Sequence, residues 1–273
     1  MRGQAAVKST ASDPFGERAP AGLRARLNVL GGAFTVESAD AAALRLAVDA
    51  FGGMPRHKLE REPRRFHVRL VVAEDRPQWL RAARPPAANL TAGNGLLCAT
   101  IDAGNFAVVD PAQSRALVCV SRALLRFPYH ARYELIELAM VTLASRAQSL
   151  VPLHAACFGA RGSGLLLMGA SGAGKSTLAL HALASGMQVL SEDSAFVAVD
   201  SLRVTGVPNF LHVQPSALEF LTDGPLLTEV RRSPVIVRRS GARKYEVDLR
   251  KTPGEIAARP LGLAAIVFLS RRR

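Results

Sequence analysis

The run Gly169-Ala-Ser-Gly-Ala-Gly-Lys-Ser-Thr177 has the residue types and spacing of a phosphate-binding loop, G-x-x-x-x-G-K-[ST]. Gly169, Gly174, Lys175 and Ser176 stand at its fixed positions. Glycines let the backbone fold tightly, so that the N–H groups across Ala170, Ser171, Gly172 and Ala173 turn inward around phosphate oxygens. Lys175 can reach the outer phosphates, the Ser176 hydroxyl can ligate Mg²⁺, and Thr177 follows. The expected ligand is therefore a Mg-nucleotide. The apolar run Leu165–Met168 before the motif predicts a strand. The run Thr177–Ala184 after it predicts a helix from Gly174 to about Ser185, stopped by Gly186. The competing reading is a glycine-rich turn with no ligand.

One short strand later comes Ser191-Glu192-Asp193, closing the apolar stretch Met187–Leu190. A strand–helix–strand unit returns parallel to its first strand, so both strands end at the same sheet edge. That brings Glu192 and Asp193 beside the loop. Neighbouring strand residues point to opposite faces, so only one carboxylate is expected to face a metal unless the strand has ended. The competing reading is a solvated acidic pair.

The stretch Leu153-His154-Ala-Ala-Cys-Phe158, then Gly164–Thr177, then Leu190-Ser-Glu-Asp193, resembles the catalytic domain of HPr kinase/phosphorylase and its relatives. That domain is itself similar to the nucleotide-binding part of phosphoenolpyruvate carboxykinase. The resemblance is specific over about 150–215 and looser over 130–150 and 235–270. It implies an α/β P-loop kinase core preceded by a small α+β domain. It also implies transfer of the γ-phosphoryl group of ATP to a hydroxyl, most readily a Ser, of a peptide or protein. In that family a His one hairpin before the loop contacts an acidic pair, and His154 occupies its position. By position Glu192 handles the acceptor's proton, while Asp193 joins His154 and, with Ser176, the metal. Three features depart from the family. Glu192 replaces the usual Asp, Thr177 replaces a Glu, and Val204–Asn209 matches the downstream glycine-rich signature poorly. Two alternatives follow from these departures: a nucleotide-binding regulatory module without phosphotransfer, or a small-molecule kinase, which an extra basic pocket for a carboxylate would mark.

Elements must hold these residues in place. Ser38 is a candidate N-cap for a helix through Phe51 with Leu44, Val48 and Phe51 on its apolar face. Phe66–Val72 alternates as a strand, and the proline-containing 76–94 reads as loop. Leu96–Ile101, Phe106–Val109 and Ala116–Val120 read as short strands, with a hairpin at Asp102–Asn105. Tyr129–Gln148 reads as a helix buried between layers and stopped by Pro152. His154–Phe158 and Gly164–Met168 predict a hairpin. His154 by itself reads equally as an ordinary strand histidine. Pro260–Leu269 predicts a late strand of the central sheet. The expected division is a disordered leader over 1–26, a small α+β domain over 27–128 and a kinase domain over 129–273. Relatives continue past that late strand with terminal helices, so the sequence reads as naturally short or truncated there.

Of 273 residues, 49% are apolar, enough for a real core, and the formal net charge is +13. Thirty of the 35 basic residues are Arg in an Ala-rich chain, which weakens charge as a functional signal. The remainder favours an anionic partner, and nucleic acid is disfavoured because no stacking aromatics interleave the basic residues. Arg231–Lys251 is the densest basic segment. It reads either as a solvated face or as a contact for the transferred phosphate or acceptor, with Arg243 and Lys244 as candidates. Cys98, Cys119 and Cys157 have no metal or disulfide spacing and point to a reducing, cytoplasmic setting. No apolar run suggests a membrane partner. A homo-oligomer stays open.

Overall fold

The computed structural model describes residues 22–59, 62–74 and 77–270. Most of the expected leader, and Arg271–Arg273, lie outside these residues. From Leu23 the chain is already strand. β1 (Leu23–Val29) and β2 (Gly32–Ser38) form a hairpin closed by Leu30 and Gly31, whose φ values of 48° and 82° match the twist of the strands. Ser38 ends β2 instead of capping the helix, and its hydroxyl donates to the Leu70 carbonyl at 2.9 Å. Asp40 is the cap of α1 (Ala41–Phe51), accepting from the Ala42 and Ala43 amides at 2.8 and 3.0 Å. The buried face of α1 is Ala43, Ala47, Ala50 and Phe51. Small alanines let the helix lie close to the sheet, which turns Leu44 and Val48 to its flanks. Asp40→Ala should lower stability by about 1 kcal/mol, the usual worth of such a cap, as read by urea unfolding.

The first sheet continues through β3 (Arg65–Ala73), β4 (Asn89–Gly93), β5 (Leu96–Asp102), β6 (Asn105–Asp110) and β7 (Arg115–Ser121). Its order is β1-β2-β3-β7-β6-β5-β4, with β2–β3 and β3–β7 parallel. β4 lies inside the segment expected to be loop. Its prolines, Pro77, Pro85 and Pro86, precede the strand, so nothing removes a donor from Asn89–Gly93. Asn94 and Gly95, both at positive φ, turn it into β5.

Two short helices follow, α2 (Arg122–Leu125) and α3 (Pro128–Ala131). A π-helical turn over Arg132–Glu137 then leads into α4 (Leu138–Ala147). The expected 129–148 helix thus contains a π turn, a feature frequent at functional sites. Leu135, Ile136, Met140 and Leu143 are fully buried in one core with Val36, Phe51, Val68 and Val118 of the first sheet and α1. Helix 128–147, expected to open the kinase domain, therefore packs into the core of the preceding sheet, so a cut at 128 divides that core. The amphipathic rule alone does not say which sheet a helix will cover.

The second sheet contains β8 (Val151–Leu153), β9 (Ala155–Ala160), β10 (Ser163–Gly169), β11 (Gln188–Ser191), β12 (Ala195–Ala198), β13 (Arg203–Gly206) and β17 (Leu261–Leu269). Its order is β11-β9-β10-β17-β13-β12-β8, with β10–β17 parallel. α5 (Lys175–Ala184) joins β10 to β11 and ends at Ser185, with Gly186 at φ 77°. β11 is antiparallel to β9 and β9 to β10, so β11 runs parallel to β10 with one strand between them. Pro152 sits in edge strand β8, where a missing donor is tolerated. Three further strands, β14 (Phe210–Val213), β15 (Val235–Val237) and β16 (Arg243–Asp248), make a small antiparallel sheet ordered β14-β16-β15, with α6 (Pro225–Arg232) between β14 and β15. The chain is thus α/β, with two mixed seven-stranded sheets and few helices. No described helix is long and apolar enough to cross a membrane.

Candidate functional site

β10 delivers the chain to Gly169, and α5 starts at Lys175. A Cβ on Gly169 would fall 2.9 Å from the Leu269 carbonyl oxygen and 3.2 Å from the Ala173 Cβ, so only glycine lets the loop pass β17 this closely. Gly174, at φ 106°, faces open space; glycine is needed there for its backbone angle. Lys175 is buried, and its ammonium donates to the Gly169 carbonyl at 2.7 Å and the Ala170 carbonyl at 3.3 Å. It therefore lies folded over its own loop.

β11 ends at Ser191, so Glu192 and Asp193 follow the strand and are free of its strict alternation. Glu192 is 7% exposed. It accepts a short hydrogen bond from the Ser176 hydroxyl through Oε1, and its Oε2 stands 3.1 Å from His212 Nδ1. Asp193 is more open, with 27% of its side chain exposed. Its Oδ1 is 3.0 Å from His154 Nδ1, while its Oδ2 accepts from the Tyr133 hydroxyl at 3.2 Å and lies 3.8 Å from Arg238. The structure therefore brings His154 to Asp193, as the resemblance implied. It seats Glu192, rather than Asp193, against Ser176.

Lys244 and Arg243 separate. Both lie within β16, on alternate faces. Lys244 lines the cavity beside the loop, with Arg238 and Arg239, whereas Arg243 points to solvent. Arg239 is committed to Glu134 and to the Pro85 and Pro86 carbonyls. Arg238 lies over the Tyr133 ring at 5.2 Å. Burial works against its charge, but the neighbouring Tyr129, Tyr133 and Asp193 leave its pKa above the usual guanidinium value. Burial raises the Tyr129 phenol to about 12 and the Tyr133 phenol further, so both remain protonated and Tyr133 is a lasting donor to Asp193.

Behind Glu192 lies a network that the sequence reading missed. His212 on β14 is the cross-strand partner of Glu246 on β16, and its Nε2 stands 3.4 Å from Glu246 Oε1. Arg132, from the π turn, donates to Glu246 and packs over Phe210 at 4.0 Å. Arg132 Nη1 and Glu137 Oε1 lie 3.0 Å apart without hydrogen-bond alignment, and both atoms are shut off from solvent. Burial disfavours charge on His212, Glu192, Glu246 and Glu137. For His212 the hydrogen bonds to Glu192 and Glu246 outweigh it and raise the pKa. For Glu192 the bonds to His212 and Ser176 lower the pKa, and for Glu246 those to His212 and Arg132 do the same. Glu137 stays above the usual carboxylate value because burial outweighs Arg132. A lone His in Phe-Leu-His-Val signals nothing until the strand pairing places a Glu opposite it.

The carboxylate pair separates two cavities. One, of about 420 Å³, is lined by the loop, His154, Arg238 and Lys244. The other, of about 320 Å³, lies between Leu90, Leu138, Val141, Phe196, Phe210 and Glu137. Tyr133, Glu192, Asp193 and His212 border both. Among the described residues no group of three or more His, Cys, Asp and Glu side chains could hold a metal by itself. A Mg²⁺ site completed by phosphate and water needs only one or two carboxylates from the protein.

No protein-family model matches the chain, and a search of curated proteins finds no similar one.

Proposed function

We propose that the second sheet and its loop form a P-loop kinase core of the HPr kinase type, transferring the γ-phosphoryl group of ATP to a Ser hydroxyl of a peptide or protein. One observation carries the reading: a carboxylate pair separates a basic, glycine-lined cavity from a second cavity with room for an acceptor. The residues fit Mg-nucleotide. The loop is open at Gly174, Lys175 is held next to it, and Ser176 lies against a carboxylate. Mg²⁺ bound there would neutralise phosphate charge. Ser176 and Glu192 are the residues that would hold it, because Glu192 is the carboxylate in contact with Ser176. The proton-accepting role then falls to Asp193, which borders both cavities and is the more exposed. The acceptor oxygen forms the new bond to phosphorus, its proton passes to Asp193, and the nucleoside diphosphate leaves. Lys175, Arg238 and Lys244 offset the charge on the transferred group. Tyr133 and His154 fix the carboxylate's direction. None of the described cysteines forms a disulfide, which suits a cytoplasmic setting.

The test is transfer of label from γ-labelled ATP to Ser-containing peptides, with Lys175→Ala as the comparison. That variant should keep its fold, since the described hydrogen bonds of the Lys175 ammonium go to loop carbonyls. It should lose most nucleotide affinity in calorimetry and most transfer. Unchanged affinity would remove the loop assignment. ATP binding without transfer to any hydroxyl would favour the regulatory reading, for which the full occupation of both Glu192 oxygens already speaks.

A further inference from the structure

β4 is an edge strand without the usual protection. All five of its residues are exposed, and among the described residues no strand pairs with its outer edge. Edge strands are normally blunted by charge, proline or a bulge. The opposite edge follows that rule, since β1 carries Arg24 and Arg26. β4 reads Asn-Leu-Thr-Ala-Gly, with neither charge nor proline.

Its position is fixed relative to the carboxylates. Arg239 donates to the Pro85 and Pro86 carbonyls just before the strand and to Glu134 on the π turn. Arg84 in turn donates to the Arg239 carbonyl at 3.0 Å. Leu90, on β4, is 66% exposed and forms one wall of the 320 Å³ cavity whose far wall is Glu192 and Asp193. A strand laid beside β4 would send alternate side chains to the face occupied by Leu90.

We infer that the acceptor is an extended peptide that pairs with the open edge of β4 and projects its hydroxyl residue into this cavity. The inference rests on the kinase reading above. The cavity also defines the neighbouring residue. Leu90, Leu138, Val141 and Phe196 offer an apolar seat, which an inward-facing residue two positions from the hydroxyl would fill. The charges around the cavity exclude an acidic acceptor. Glu137 and the carboxylate pair face it, and Arg132, the guanidinium among the described residues that line it, is already paired with Glu246 and Glu137. Among those described lining residues no free cation is left to receive a small substrate's carboxylate.

Acetylated, fluorescein-labelled eight-residue peptides with one Ser test this, with Val placed either two positions or one position from the Ser. Binding is read by fluorescence polarisation and transfer by γ-labelled ATP. Peptides with Val two positions away should bind at least about tenfold more tightly, a difference of one decade. N-methylation of their backbone should weaken binding at alternate positions only, since alternate amides face β4. Leu90→Asp, at an exposed position, should weaken peptide binding by about tenfold or more and leave ATP binding unchanged. Equal binding by the variant, no alternation, or labelling of free serine as readily as peptide would each overturn the inference. Binding that follows this pattern without any transfer would sustain the strand-pairing site and remove the kinase reading.

Discussion

Asp193→Asn should bind Mg-ATP like the wild-type protein and transfer phosphate about 10²–10⁴-fold more slowly, the usual cost of losing a general base. That corresponds to about 3–5 kcal/mol of barrier. The amide keeps the size of the side chain and can still meet Tyr133 and His154, so the loss reports proton acceptance together with the weak charge contact to Arg238. Glu192→Gln should behave differently. Its contacts are Ser176 and His212, so nucleotide affinity measured in Mg²⁺ should fall together with transfer. The two variants therefore separate the assignments. Normal nucleotide affinity with lost transfer in Glu192→Gln, beside wild-type turnover in Asp193→Asn, would return the base role to Glu192.

The second large effect is on stability. Arg132→Met should destabilise the protein by about 3–5 kcal/mol, because it leaves Glu137 buried without its cation and Glu246 with His212 alone. Urea unfolding at pH 7.5 would show it, and the additional change Glu137→Gln should restore part of the loss. The pH dependence has a definite sign. Glu192 and Glu246 lie below their ordinary value of 4.5, so their contribution is present above that pH and is lost as pH falls through the lowered values. His212 lies above its ordinary 6.5, so its contribution is present below that pH and is lost as pH rises through the raised value. Glu137 lies above 4.5 and opposes the fold as it ionises. Above about pH 4.5 Glu192 and Glu246 contribute in full, Glu137 offsets them increasingly as it ionises, and the His212 contribution fades on the alkaline side. A wild-type stability difference from His212→Asn that grew from pH 6.5 to 9 would contradict it.

What could be read from the sequence was local. The loop, its helix, the Gly186 stop, the β9–β10 hairpin and the late strand β17 each depend on residues close together in the chain. Glycine angles, helix stops and period-two alternation express them there. What could not be read depends on contacts between distant segments. The pairing of His212 with Glu246 needs the register of β14 on β16. Tyr133 reaches Asp193 only because α4 and the π turn cross between the two sheets. Lys244 and Arg243 were equal candidates until the pleat of β16 sent them to different faces. Asn89–Gly93 was taken into a loop because nearby prolines dominate its composition. The roles of Glu192 and Asp193 turned on where β11 ends, a matter of one residue.

The core formed by helix 128–147 with the first sheet has an evolutionary consequence. Phe196, from the second sheet, is buried in that same core, and Arg239 ties the segment before β4 to the π turn. The half that carries the Gly169–Thr177 loop, transplanted alone, would arrive with an uncovered apolar helix and without one wall of its second cavity. Gene fusion and domain shuffling should therefore carry the stretch from β1 through β17 as one heritable block. On the kinase reading proposed above, changes in acceptor preference should arise by drift along Asn89–Gly93, where substitutions alter the rim of the cavity and leave Glu192 and Asp193 in place.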